Sequence, residues 1–101
     1  MAAEDDVEFV KECADLFIET VEERMPELSA SVSAGDHEAT YTHAHYIGSS
    51  CGNVGADAML KAARATEAAS KAGDAGGVAT NFDQLQKEFA RAKAYFKDLL
   101  G

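Results

Sequence analysis

All three histidines of the chain, His37, His43 and His45, fall within nine residues, together with Tyr41 and ahead of the run Gly48-Ser49-Ser50-Cys51-Gly52. An imidazole can ligate a metal or act as a nucleophile near neutral pH. Helical geometry argues against the metal. At about 100° per residue His43 and His45 point about 200° apart, and His37 lies about 12 Å along the axis from His45, so no two stand at the i, i+4 spacing that chelates zinc. Neither a metal nor another cofactor is expected here. His37 and His43 fall nearer the edge of the buried face and read as partly buried structural residues.

His45 is different. Thr40, Ala44, Ile47, Cys51 and Val54 recur at steps of 4, 3, 4 and 3 and form one apolar stripe. Measured from the centre of that stripe, His45 points roughly 140° away, into solvent. Gly48, Ser49 and Gly52 stand three, four and seven residues further on along the same face, so the turns that would overhang the imidazole carry almost no side chain. Two glycines inside a helix cost about 1 kcal/mol each relative to Ala. Open access to His45 is one reason for them, and an ordinary surface histidine on a fraying helix is the other reading. A projecting imidazole on a flat helical face can enter a partner's cleft and exchange a phosphoryl group with an aspartyl phosphate there.

The elements that would position it are helical throughout. Asp5 and Asp6 are candidate caps for a stripe running Val7, Val10, Ala14, Phe17, Val21, Leu28 and Val32. Pro26 lies inside it and removes an intrahelical bond, which predicts either a kink near Arg24-Met25 or two successive helices. Ala34-Gly35 supplies a stop and Asp36 a new cap. The second helix carries the histidines and ends at Gly55. A third runs roughly from Ala56 to Ala72, with Met59 and Leu60 as its larger apolar residues and an alanine row at 58, 62, 65, 69 and 72 that would let a neighbouring helix come close. After the break Gly73-Asp74-Ala75-Gly76-Gly77, a last stripe repeats at Val78, Phe82, Leu85, Phe89, Ala92, Phe96 and Leu99. Short links make sequential helices neighbours, so the expected fold is an all-α, antiparallel up-down-up-down four-helix bundle forming a single domain over residues 1–101.

Composition agrees and narrows the partners. The 101 residues are 47% hydrophobic and 27% charged, with one Pro and no Trp, a balance that suits a helical domain with one core. Eighteen acidic residues against nine basic ones give a net charge of -9, and no basic run is present to meet phosphates or anionic lipid. Nucleic acid and membrane are therefore poor partners, and the acidic start Met1-Ala-Ala-Glu-Asp-Asp lacks the basic region of a signal peptide. The expectation is a soluble cytoplasmic monomer. Cys13 and Cys51 have no C-x-x-C partner and read as reduced core residues.

The segment Ala44-His45-Tyr46-Ile47-Gly48-Ser49-Ser50-Cys51-Gly52-Asn53-Val54-Gly55-Ala56 resembles the phosphohistidine segment of histidine-containing phosphotransfer (HPt) domains, A-H-x-L-K-G-S-S-x-N-L-G-A. The matches fall at the histidine, the apolar residue two on, one Ser, the Asn, the next apolar residue and the final Gly-Ala. The flanks agree: an opening D-x-x-F/V stripe with Phe17, a Gly-Asp before the last helix, and a closing Leu85-x-x-Glu88-Phe89-x-x-x-Lys93.

The resemblance implies a phosphorelay intermediate, with His45 accepting and passing on a phosphoryl group between receiver domains of hybrid histidine kinases and response regulators. Mg²⁺ and the acidic pocket would belong to the receiver. Two positions depart from the pattern: the family's Lys three residues after the histidine is Gly48 here, and its following Gly is Ser49. In the family that Lys lies beside the phosphoryl group and offsets its charge; Lys61 and Arg64 on the next helix are candidate substitutes. The receiver would dock on the His45 face, with Tyr41, Gly48, Ser49 and Gly52, and on neighbouring parts of the first helix near Phe9 and Cys13, although Phe9 reads equally well as a second core row.

Two rival readings stay open. One is a receiver-binding bundle that has lost relay capacity with the Lys-to-Gly change. The other is a phosphoacceptor domain of a larger sensor kinase, against which Met1 and the ending Leu99-Leu100-Gly101 favour a free-standing protein. No nucleotide-binding motif is present, so autophosphorylation with ATP is not expected in either case. The closing helix and His43-x-His45 also resemble plant and algal phosphotransmitters, which implies shuttling between cytoplasm and nucleus.

Overall fold

A computed structural model describes residues 2–54 and 56–100, without the side chains of residues 2–7 and of Asn53. The Asn53 side chain and Gly55 of the histidine segment, and any cap made by the Asp5 or Asp6 side chain, therefore lie outside what the structure describes. Four helices follow one another: α1 (Ala2–Ala34), α2 (His37–Val54), α3 (Asp57–Lys71) and α4 (Ala75–Leu100). Each packs on its sequence neighbour and α4 closes on α1, the ring of contacts that defines an up-and-down four-helix bundle. None is long and apolar enough to cross a membrane.

Two connections share one design. Gly35 and Gly73 both adopt φ of 69°, the left-handed conformation that ends a helix at low cost only for glycine. After each, the following aspartate bonds backward and forward. The Asp36 and Asp74 amides donate to the Ser31 and Ala69 carbonyls at 3.0 and 2.9 Å, and their carboxylates accept from the Ala39 and Gly77 amides at 3.1 and 3.0 Å. Gly-Asp thus stops one helix and caps the next within two residues. Because Asp74 caps so early, Ala75, Gly76 and Gly77 belong to α4 and do not form a break ahead of it. A Cβ at Gly77 would overlap the Asp74 carboxylate, so that glycine keeps room for the cap.

The first helix starts ahead of Asp5-Asp6, and of the two alternatives at Pro26 it excludes successive helices. It begins at Ala2, so the two aspartates lie inside it, and it runs on through Pro26 as one 33-residue element, not two successive helices. Glu22 and Pro26 are both exposed, so the intrahelical bond that Pro26 removes lies on the solvent side of α1.

The core is built from Phe17, Val21 and Leu28 of α1, Ala44, Ile47 and Cys51 of α2, Met59, Ala62 and Ala63 of α3, and Phe82, Leu85, Phe89 and Phe96 of α4. Phe17 meets Phe89 and Phe96 edge-on, with ring centroids 6.2 and 6.1 Å apart. The buried hydroxyls of α3 are satisfied within the helix, Thr66 by the Ala62 carbonyl and Ser70 by that of Thr66. The expected core is corrected at several positions. Phe9 is 66% exposed and forms no second core row, and Leu99 is also exposed, because α1 and α4 outrun the shorter α2 and α3. On α3 the buried face is Met59, Ala62, Ala63, Thr66, Glu67, Ala69 and Ser70, while Ala58 and Ala72 of the predicted alanine row face solvent.

Both cysteines are free, but only Cys51 is a core residue; Cys13 is half-buried. Burial pushes the Cys51 thiol up to about 11, against a smaller opposing pull from Arg64. A thiolate-selective reagent at neutral pH is therefore expected to modify Cys13 in the native protein and to reach Cys51 only on unfolding. Equal labelling rates for the two thiols in native buffer would contradict this packing.

Candidate phosphoacceptor site

His45 projects from the middle of α2 with 55% of its side chain exposed, in agreement with its angular distance from the stripe. Tyr41, one turn earlier, stacks on it with the rings 9° from parallel and centroids 6.0 Å apart, so one face of the imidazole is held against an aromatic ring. Ser49, one turn later, turns its hydroxyl back to the His45 carbonyl at 3.1 Å and leaves the approach clear. Gly52 has open space where a Cβ would be.

The second helix does not act alone. α3 lies close against α2 because small residues face each other there: a Cβ at Gly48 would stand 3.5 Å from the Ala63 Cβ. That approach delivers two α3 side chains to the imidazole. Glu67, only 9% exposed along its side chain, places Oε1 2.9 Å from His45 Nδ1. Arg64, one turn earlier on α3, bonds the other Glu67 oxygen and brings its guanidinium 3.2 Å from the same Nδ1.

A guanidinium cannot accept a proton bond and a carboxylate cannot donate one, so these neighbours favour different tautomers. The carboxylate contact is the shorter, and the Arg64 nitrogen that approaches Nδ1, Nη1, also donates to Glu67. The consistent assignment has Nδ1–H donating to Glu67 and leaves Nε2, with its lone pair, directed outward. A carboxylate that fixes a histidine's tautomer and offsets positive charge developing on the ring is a recurrent device for a reacting imidazole.

Gly48 corrects the sequence expectation of a bare face. It is buried, and what covers it is Arg64: a Cβ there would lie 2.9 Å from Nη1 and 3.1 Å from Cζ of the guanidinium. Of the two substitutes proposed for the missing lysine, the structure brings Arg64 to the histidine. Lys61 is exposed on α3 and makes no hydrogen bond or ion pair with the site among the described residues. His43, partly buried as expected, belongs to a separate cluster on the α1 side, with Nδ1 3.4 Å from Arg24 and 3.6 Å from Glu27, while the Arg24 guanidinium lies 3.9 Å over the Tyr46 ring. His37 is partly buried at the start of α2.

Between α1 and α2, an apolar cleft of about 620 Å³ opens beside the imidazole, lined by Cys13, Leu16 and Thr20 on one side and Tyr46, Ser50 and His45 on the other. With the four-helix frame and this solvent-facing histidine in place, comparison with known families is direct: residues 12–95 match the Hpt domain family. The chain belongs to the Hpt domain family. The match spans α1 from its third turn onward, the whole of α2 and α3, and most of α4. No curated protein and no solved structure gave a match. Hpt domains serve phosphotransfer in two-component phosphorelays and interact there with receiver domains, which is what the histidine segment implied. In this Hpt domain, sequence reasoning missed Glu67. The i, i+3 pair Arg64 and Glu67 is visible in the sequence, but which face of an alanine-rich helix meets α2 is not.

Proposed function

We propose that this Hpt domain is a phosphocarrier that relays a phosphoryl group from the receiver domain of a hybrid sensor kinase to that of a response regulator through Nε2 of His45. The observation that carries the reading is the Nδ1 contact with Glu67, which leaves Nε2 as the free nucleophilic nitrogen on a half-exposed ring. In the forward step the Nε2 lone pair forms the N–P bond as the P–O bond of an aspartyl phosphate breaks and its electron pair returns to the aspartate carboxylate. The Nδ1 proton stays between ring and Glu67, whose charge offsets that gained by the imidazole. Transfer onward is the reverse, and positioning supplies most of the rate.

The receiver would supply Mg²⁺ and the acid pocket, and this chain would use no ATP of its own. The α1/α2 cleft, with exposed Leu16 and Tyr46 and, further along α1, Phe9, supplies apolar surface beside the reacting nitrogen. Tyr41, Ser49 and Gly52 complete the docking face. The carrier would act in the cytoplasm as a monomer.

A test needs no identified partner. Incubation with phosphoramidate, a small phosphoryl donor, followed by ³¹P NMR, is expected to give one phosphohistidine signal of the Nε2 type that is absent in His45→Gln. An Nδ1-type signal, or an unchanged signal in His45→Gln, would overturn the assignment.

A further inference from the structure

We propose that α3 supplies the cation that holds the phosphoryl group on His45: Arg64, laid over the bare backbone of Gly48 and neutralised at rest by Glu67, turns from that carboxylate to the phosphoryl oxygens once Nε2 is phosphorylated. This rests on the reading of His45 as acceptor.

The geometry has three parts. Gly48 stands one helical turn from His45 on the same face, the position from which a side chain would reach the imidazole. Its own side chain is absent and the space is taken by the Arg64 guanidinium, with Nη1 2.9 Å and Cζ 3.1 Å from where a Cβ would be. Gly52, the next glycine along, has nothing within 4 Å, so close cover is particular to Gly48. Second, the two members of the pair differ in freedom. Glu67 is 9% exposed and held between two partners, whereas 45% of the Arg64 side chain is open to solvent, so the guanidinium is the member that can swing.

Third, a phosphoryl group brings close to two negative charges to a site already holding a buried carboxylate, and like charges at that range repel. Arg64 is the cation within hydrogen-bond reach of His45 among the described residues. Its planar fork can bind two phosphoryl oxygens at once. At rest its bond to Glu67 keeps that carboxylate paired and turned toward Nδ1. After transfer the Nδ1 proton continues to hold Glu67, and Arg64 is released to the new dianion.

The test transposes the cation. With phosphoramidate as donor, zwitterionic phosphoramidate loses ammonia together with the electron pair of its P–N bond as Nε2 forms the new N–P bond, so the step needs no other reactant. Arg64→Ala is expected to lower both the uptake rate and the half-life of the phosphohistidine by about tenfold, the usual scale for losing a charge-assisted contact. Because Arg64 is exposed, its helical circular dichroism should match wild type. Adding Gly48→Lys to Arg64→Ala returns an ammonium to the face of His45 and should restore most of both quantities. If wild type takes no phosphoryl group, the reading of His45 itself fails, and this inference with it. If wild type is phosphorylated and Arg64→Ala matches it in uptake and half-life, or is impaired but not rescued by Gly48→Lys, the inference alone is overturned.

Discussion

Glu67→Ala is expected to slow phosphoryl uptake by His45 by about 10- to 100-fold, the range seen when a group that orients a reactive histidine is removed. Two effects act in the same direction. Nδ1 loses its acceptor, so the ring is no longer fixed with Nε2 free. Arg64 also loses its partner while already 3.2 Å from Nδ1, and a guanidinium donating there selects the tautomer whose proton sits on Nε2, which cannot attack phosphorus. Glu67→Gln keeps an acceptor oxygen without the charge and should fall between wild type and Glu67→Ala. The measurement is the initial rate of phosphohistidine formation at fixed donor concentration. Equal rates for all three proteins would remove Glu67 from the mechanism and leave its burial a matter of packing.

The largest stability effect is expected at Phe17→Ala. Phe17 is 3% exposed and is the α1 residue through which two α4 rings, Phe89 and Phe96, are held edge-on. Deleting a buried phenyl costs about 4 kcal/mol. That is a large share of the roughly 5–15 kcal/mol that stabilises a domain of this kind. The melting temperature should drop by roughly 20 °C. The consequence reaches the site, because Phe17 also lines the α1/α2 cleft beside His45. A fall of less than 5 °C by circular dichroism would show that other contacts hold α1 to α4.

Particular residues show why some of this architecture was readable in advance. On α2 and α4 apolar residues recur at helical spacing among polar, small and charged ones, so Ile47, Cys51, Phe82, Leu85 and Phe89 announce the buried face, and the angular position of His45 follows from it. Gly-Asp at 35–36 and 73–74 announces the links, because positive φ and an aspartate cap are properties of those residue types. On α3 most of the apolar residues are alanines. Alanine is equally at home on either face, so the row at 58, 62, 65, 69 and 72 could not reveal that the helix turns Met59, Ala63, Thr66 and Glu67 inward.

The rest of the site depended on that rotation. Gly48 seen from α2 alone is a gap; only when α3 is placed does the gap turn out to be filled by Arg64 and its glutamate partner to reach the imidazole. The extra length of α1 and α4 likewise leaves Phe9 and Leu99 exposed, although the spacing of Leu99 fits the α4 stripe. Periodicity reports which side of a helix is apolar and carries no information about where the neighbouring helix ends.

The most direct test of the account is transfer from a phosphorylated receiver domain to this protein, following label that is acid-labile and base-stable on wild type and on His45→Gln. Label on wild type and none on His45→Gln is the predicted result and would establish a relay through His45. Label on neither, with receiver binding intact, would contradict it and leave a docking protein whose histidine face no longer carries phosphate.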